Sequence, residues 1–128
     1  MDAFFYRRDI MDRFRISRRV IEGYEKLGLV IPSSHDDRGA LLYDGDTVRR
    51  IGFIRLCQNM GFELKEIEEF IDGSSEVIKE RLRRQSEKIK RKQSDLRCYL
   101  KLIEELMACE GDIKECDSIL RIFREEEK

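Results

Sequence analysis

Two residue types stand where they could do chemistry: arginine and cysteine. Arg18 and Arg19 follow Ser17 at what reads as the start of a helix. Peptide dipoles disfavour cations at that end, so two arginines there suggest an external anion, and a short helix is what a DNA groove accepts. The plainer reading is a solvated helix end that uses arginine for solubility. Between Arg13 and Arg19 there are four arginines and no acid, and Arg38 lies in an Asp-Asp-Arg-Gly turn. The four cysteines are Cys57, Cys98, Cys109 and Cys116. Cys57 falls on an apolar helical face and reads as core filler. Cys109 and Cys116 have six residues between them. Two thiolates in a dry loop suit a soft monovalent ion such as Cu(I) in linear coordination, whereas zinc asks for more ligands. His35 is the only histidine and reads as a loop residue. There is no nucleophile–base pair and no phosphate-binding glycine loop, so no enzyme reading has support.

The elements that must position these residues follow from periodicity. Phe4 to Phe14 reads as a first helix, with Phe5, Ile10 and Phe14 inward. Ser17 caps a second, whose stripe is Val20, Ile21, Tyr24 and Leu27 and which Gly28 ends as a left-handed residue. Arg15-Ile16 is the tight turn between them, a helix-turn-helix arrangement. Ile31 to Tyr43 carries turn chemistry followed by a short extended run, a small hairpin or wing. A third helix opens at Asp46 or Thr47, with Val48, Ile51, Phe53, Ile54, Cys57 and Met60 along it. A fourth holds Leu64, Ile67, Phe70 and Ile71. From Ser74 no helix breaker occurs until Gly111. Leu82, Ile89, Leu96 and Ile103 recur every seventh residue, beside Ile78, Gln85, Lys92, Tyr99 and Leu106. That is a coiled-coil seam with a polar middle. At 1.5 Å per residue such a helix spans roughly 50 Å, and its stripe needs a second copy of itself. A short apolar helix, Ile119 to Phe123, follows the Cys109–Cys116 loop.

Composition fits this outline. The chain has 128 residues, 41% of them charged and 41% hydrophobic, with one proline and no tryptophan. Net charge is −1, so the overall sign names no partner. Residues 79–101 carry ten basic side chains against three acidic. No apolar run approaches membrane-spanning length, and the N-terminus lacks a signal-peptide pattern. A cytoplasmic protein without membrane contact is expected, in which structural disulfides are rare.

Ile16-Ser17, Tyr24-Glu-Lys-Leu-Gly-Leu29, Gly39 to Tyr43, Asp46, Phe53-Ile54 and Gly61-Phe62-x-Leu64-x-x-Ile67 together resemble the MerR family of bacterial transcription regulators. The resemblance implies a mainly α fold: a winged helix-turn-helix domain over 1–73, a dimerisation helix over 74–108 pairing as an antiparallel coiled coil, and a C-terminal effector segment over 109–128. It implies a homodimer on two half-sites of double-stranded promoter DNA, which it distorts when an effector binds, acting on RNA polymerase through promoter geometry. The residues expected at DNA are Ser17, Arg18, Arg19, Tyr24, Arg38 and Tyr43. Two departures stand out. Glu22-Gly23 occupies a place where the family usually has arginine and an aromatic, and the wing reads Gly39-Ala40-Leu41 rather than Gly-Tyr-Arg. Each lost phosphate contact removes salt-dependent affinity, so a protein-interaction module with weakened DNA binding is the alternative.

The resemblance also bears on the thiols. Metal-sensing members carry two cysteines after the long helix and a serine or cysteine at its start that reaches the partner's loop. Cys109 and Cys116 are similar to that pair but one residue closer, and the helix-start position falls on Ser74. The implied site is Cys109 and Cys116 with Ser74 of the partner subunit nearby, the serine pattern being the monovalent one. A Cys109–Cys116 disulfide switch and simple core filling remain competing uses.

Overall fold

The computed structural model describes residues 3–126, with side chains through Phe123. The last two residues of the expected C-terminal segment lie outside it. The chain forms two compact units, residues 1–81 and 82–128.

The first unit begins with a difference from expectation. Phe4–Tyr6 is a strand, β1, and the first helix, α1, starts only at Arg7 and runs to Phe14. Three successive aromatics suit a pleated edge better than a helix start. Tyr6 is extended, and its backbone N–H donates to Asp9 Oδ2 at 3.0 Å, which caps α1. Arg15 then takes the left-handed conformation at φ 52° without a glycine. Ile16 N–H returns to Met11 O at 3.1 Å, and Ile16 is buried.

The second helix, α2, spans Arg18–Lys26 as expected. Ser17 Oγ accepts from Val20 N–H at 3.2 Å. Gly28 ends it at φ 75°, while Leu29 N–H reaches Tyr24 O at 3.0 Å. Of the expected stripe, Ile21 and Tyr24 are buried and Val20 is partly covered. Leu27 is half-exposed, because Leu29 and Val30 take the inward places after the turn.

The wing consists of β2, Ser34–His35, and β3, Leu41–Asp44. Both neighbours of β3 are antiparallel to it, in the order β1-β3-β2. Phe5 opposes Tyr43 on one edge, and Ser34 opposes Leu42 on the other. Asp44 Oδ1 accepts from Thr47 N–H at 2.8 Å, so α3, Gly45–Asn59, starts slightly earlier than expected. Val48, Ile51, Ile54 and Cys57 form its buried face, and Phe53 is only partly covered. The fourth helix, α4, spans Leu64–Phe70, and Phe62 packs edge-on against Phe70 at 5.2 Å.

The long helix, α5, spans Ser75–Met107 and is capped by Ser74 Oγ on Val77 N–H at 3.3 Å. The first unit extends beyond the expected boundary at 73 because Arg81 packs back on α4. Its guanidinium lies 5.2 Å from the Phe70 ring centroid and pairs with Glu69 at 3.5 Å and Glu66 at 3.7 Å.

In the second unit, no residue of α5 is buried. Ile89, Leu96, Tyr99, Leu100, Ile103 and Met107 are all exposed, so the apolar stripe is wider than the heptad alone. Beyond it, Ile113–Glu115 forms a single 3-10 turn, and α6 spans Ser118–Glu126. Among the described residues, no helix is long and apolar enough to cross a membrane.

Candidate functional site

A cluster of charged and polar side chains lies where α1, α2 and β3 meet. Arg7 Nη2 donates to both carboxylate oxygens of Glu25, at 2.8 and 2.9 Å. Tyr43 Oη donates to Glu25 Oε1 at 2.6 Å and accepts from Arg7 Nε at 3.3 Å. Arg7 and Glu25 are each only 19% exposed at their side chains. Burial opposes the charge on Arg7, but its hydrogen bonds to Tyr43 and Glu25 outweigh that and raise its pKa. Burial, then the bond to Glu25, pushes the Tyr43 hydroxyl up to about 12.

Arg7 also reaches outward. Its Nη1 lies 3.3 Å from Glu22 Oε1, which accepts in addition from Arg18 Nε at 2.8 Å. Arg7, Arg8, Arg18 and Arg38 line one open cleft of about 690 Å³, together with Tyr6 and Met11. The wing tip on its far wall is held by Asp36. That carboxylate accepts from Ala40 N–H and Arg38 N–H, both at 2.9 Å, and from Tyr6 Oη at 3.1 Å. The Ala40 bond is the largest influence holding the Asp36 carboxyl below its ordinary range. Gly39, at φ 83°, permits the tight turn.

The six residues expected at DNA therefore divide. Arg18 and Arg38 come together on the cleft. Arg19 is exposed outside it, and the Ser17 hydroxyl is engaged in capping. Tyr24 and Tyr43 are corrections: both are buried, at 1% and 0% exposure. Tyr24 Oη donates to Gln58 Oε1 at 2.5 Å, and Tyr43 serves the Arg7–Glu25 pair. Their rings build the core beneath the surface rather than the surface itself. Arg7, Arg8 and Tyr6 carry no such expectation from the sequence, and Asp36 is expected only as part of the wing turn. The adjacent Arg7-Arg8 pair is the available sequence signal, and it opens α1 only because Phe4–Tyr6 is a strand.

The thiols separate similarly. Cys57 is fully buried, and burial raises its pKa; Cys98 is exposed. Cys109 and Cys116 are free and half-buried, so the loop between them is not the dry enclosure expected. Hydrogen bonds from the Ser118 side chain, then its backbone, then the Cys109 thiol lower the Cys116 pKa. Among the described residues, no group of three or more histidine, cysteine or acidic side chains is arranged to hold a metal. That leaves no zinc-type ligand set, while a two-coordinate ion needs only the two thiolates.

Residues 8–74 match the family described as MerR HTH family regulatory protein, and residues 48–116 match the one described as MerR, DNA binding. The chain belongs to the MerR family. It is 32% identical over 63 residues to the mercuric resistance operon regulatory protein of Bacillus cereus, a match covering 49% of this chain and 48% of that one. The chain spans no more than half the length of the curated relatives it matches. A MerR family transcriptional regulator from Bacillus cereus superposes with a TM-score of 0.72 at 22% identity, over 98% of this chain and 100% of that one. That likeness shows the fold. HiNmlR, a MerR family regulator lacking the sensor domain and solved bound to promoter DNA, gives 0.66 at 25% identity, over 83% and 85%. MerR proteins are transcription regulators rather than enzymes.

The Tyr43 network sets an alkaline limit to the stability of this MerR domain. The folded state favours the neutral phenol, so its contribution is complete below the ordinary tyrosine value of 10.0 and is lost as pH rises toward about 12. Urea unfolding of wild type and Tyr43→Phe, followed from pH 9 to pH 11.5, should show the steeper loss above pH 10 in wild type. Parallel curves would reject this account.

Proposed function

We propose that this chain acts as a dimeric DNA-binding transcription regulator that grips two half-sites of a promoter and distorts the DNA between them. The observation that carries this is the single cleft on which the start of α2 and the wing tip present Arg18 and Arg38 together. Helix N-terminal residues are suited to base edges, and flanking arginines to phosphates. The similarity to a relative solved on promoter DNA supports the same reading, and RNA polymerase would respond through the altered promoter geometry. One observation favours the weaker-binding alternative, an interaction module: Glu22 already occupies Arg18.

The dimer reading is supported by the exposed stripe of α5. A single chain leaves Leu96 61% and Ile103 51% exposed along one stripe, which a second copy running antiparallel would cover. That arrangement would bring Ser74 of the partner subunit toward the Cys109–Cys116 loop. The effector reading rests on that loop. The lowered Cys116 pKa enriches the thiolate, the form that binds soft cations and that oxidants attack. A monovalent soft ion such as Cu(I) suits two sulfurs, because the pair then keeps only one net negative charge.

Leu96→Glu would place an unpaired carboxylate in the seam and should convert the protein to monomer in sedimentation velocity; a wild-type chain that sediments as monomer rejects the dimer. Arg38→Ala should weaken binding equally on different duplexes and reduce the salt slope by about one. Unchanged affinity and slope would remove the wing from the interface, and no binding by wild type to its own upstream promoter would favour the interaction module. Competition titration with Cu(I) against a chelator should show tight uptake by reduced wild type and loss of it in Cys109→Ser. Equal behaviour of the two would leave the loop without a metal role.

A further inference from the structure

Glu22 is a carboxylate on the face proposed to meet DNA. It lies one helical turn after Arg18, the two side chains being 48% and 72% exposed, and its Oε1 bridges Arg18 Nε at 2.8 Å and Arg7 Nη1 at 3.3 Å. A carboxylate and a phosphate oxygen are alternative partners for the same guanidinium fork. Left alone beside DNA, Glu22 would be repelled by the backbone.

We propose that Glu22 is a displaceable counter-ion of the DNA-binding surface: it occupies Arg18 in the free protein and yields it to a DNA phosphate. The inference rests on the DNA-binding reading and adds a regulator of affinity within that site. Three features support exchange at Arg18 rather than elsewhere. The Arg18–Glu22 pair is exposed, and exposed ion pairs are weak. Arg7 is not free to follow, because Glu25 holds it through two short bonds and only 19% of its side chain is exposed. Arg7 is therefore the partner that remains when Arg18 leaves, so Glu22 does not face the phosphates uncompensated. Arg38, whose guanidinium has no ion pair among the described residues, needs no such release.

The experiment uses the intact chain and fluorescence anisotropy on two labelled duplexes, its own upstream promoter and an unrelated sequence of equal length, across a salt series. Glu22→Gln keeps the shape and removes the charge. It should bind both duplexes about threefold more tightly, the scale of one exposed ion pair, with an unchanged salt slope, because Arg18 meets a phosphate in either protein. In an Arg18→Ala background most of that gain should vanish. Glu22→Ala, with its thermal melt compared to wild type, is the second variant and should reproduce the gain. Equal affinity of wild type and Glu22→Gln would overturn the counter-ion role while leaving DNA binding intact. A loss confined to one duplex would instead make Glu22 a base reader and also overturn it. A gain that survives Arg18→Ala would reduce it to general charge repulsion. No binding by wild type or by Glu22→Gln would overturn the DNA reading itself.

Discussion

The half-buried ion pair between Arg7 and Glu25 is the constraint on which the rest of the DNA-binding unit depends. It joins the first residue of α1 to the last turn of α2, and through Tyr43 it joins both to the middle of the sheet. Taking two charges out of water is costly, and a lone pair often fails to recover that cost. Here the geometry is two-pronged, and the Tyr43 hydroxyl bonds to both partners. The consequence is specification more than raw stability. Removing one partner leaves the other as an unpaired charge in a partly dry site, so the angle between helix-turn-helix and wing is tied to keeping all three.

That dependence explains where the sequence was legible. The second helix could be read to its ends because local chemistry fixes them: Ser17 caps, Gly28 terminates, and Ile21 and Tyr24 point inward. The wing, α3 and α4 were legible for the same reason, through Asp36-Asp-Arg-Gly and a helical apolar period. The first strand was not. Phe4–Tyr6 becomes a strand only because β3, some forty residues later in the chain, offers it an edge, and Phe5 finds Tyr43 across it. Non-local pairing of that sort leaves no periodic trace in three residues.

The functional residues divide along the same line. Arg18 and Arg38 were readable from local position, as helix start and turn tip. Tyr24 and Tyr43 were not: a tyrosine within a family string looks like a contact residue until its burial is known, and both proved to be core. Arg7 was hidden for the opposite reason. Its role arises from Glu25 and Tyr43, which are close only in the folded chain. The thiol pair is intermediate. Its spacing was visible, but the Cys109 bond that helps lower the Cys116 pKa needs the turn between the two cysteines, and the larger Ser118 contribution comes from the start of α6.

The cleft therefore carries its positive charge in three grades, set by burial rather than by residue type. Arg7 is neutralised in place by Glu25, so it shapes the surface more than it charges it. Arg18 is exposed and shared with Glu22. Arg38 stands at a turn whose backbone amides are already satisfied by Asp36, so its position is fixed while its guanidinium is not drawn inward. An arginine's usefulness to an external anion rises as its internal partner becomes weaker and more solvated. The same residue type can thus hold the fold at position 7 and meet a ligand at position 38. The acids around them, Glu25, Glu22 and Asp36, decide which does which.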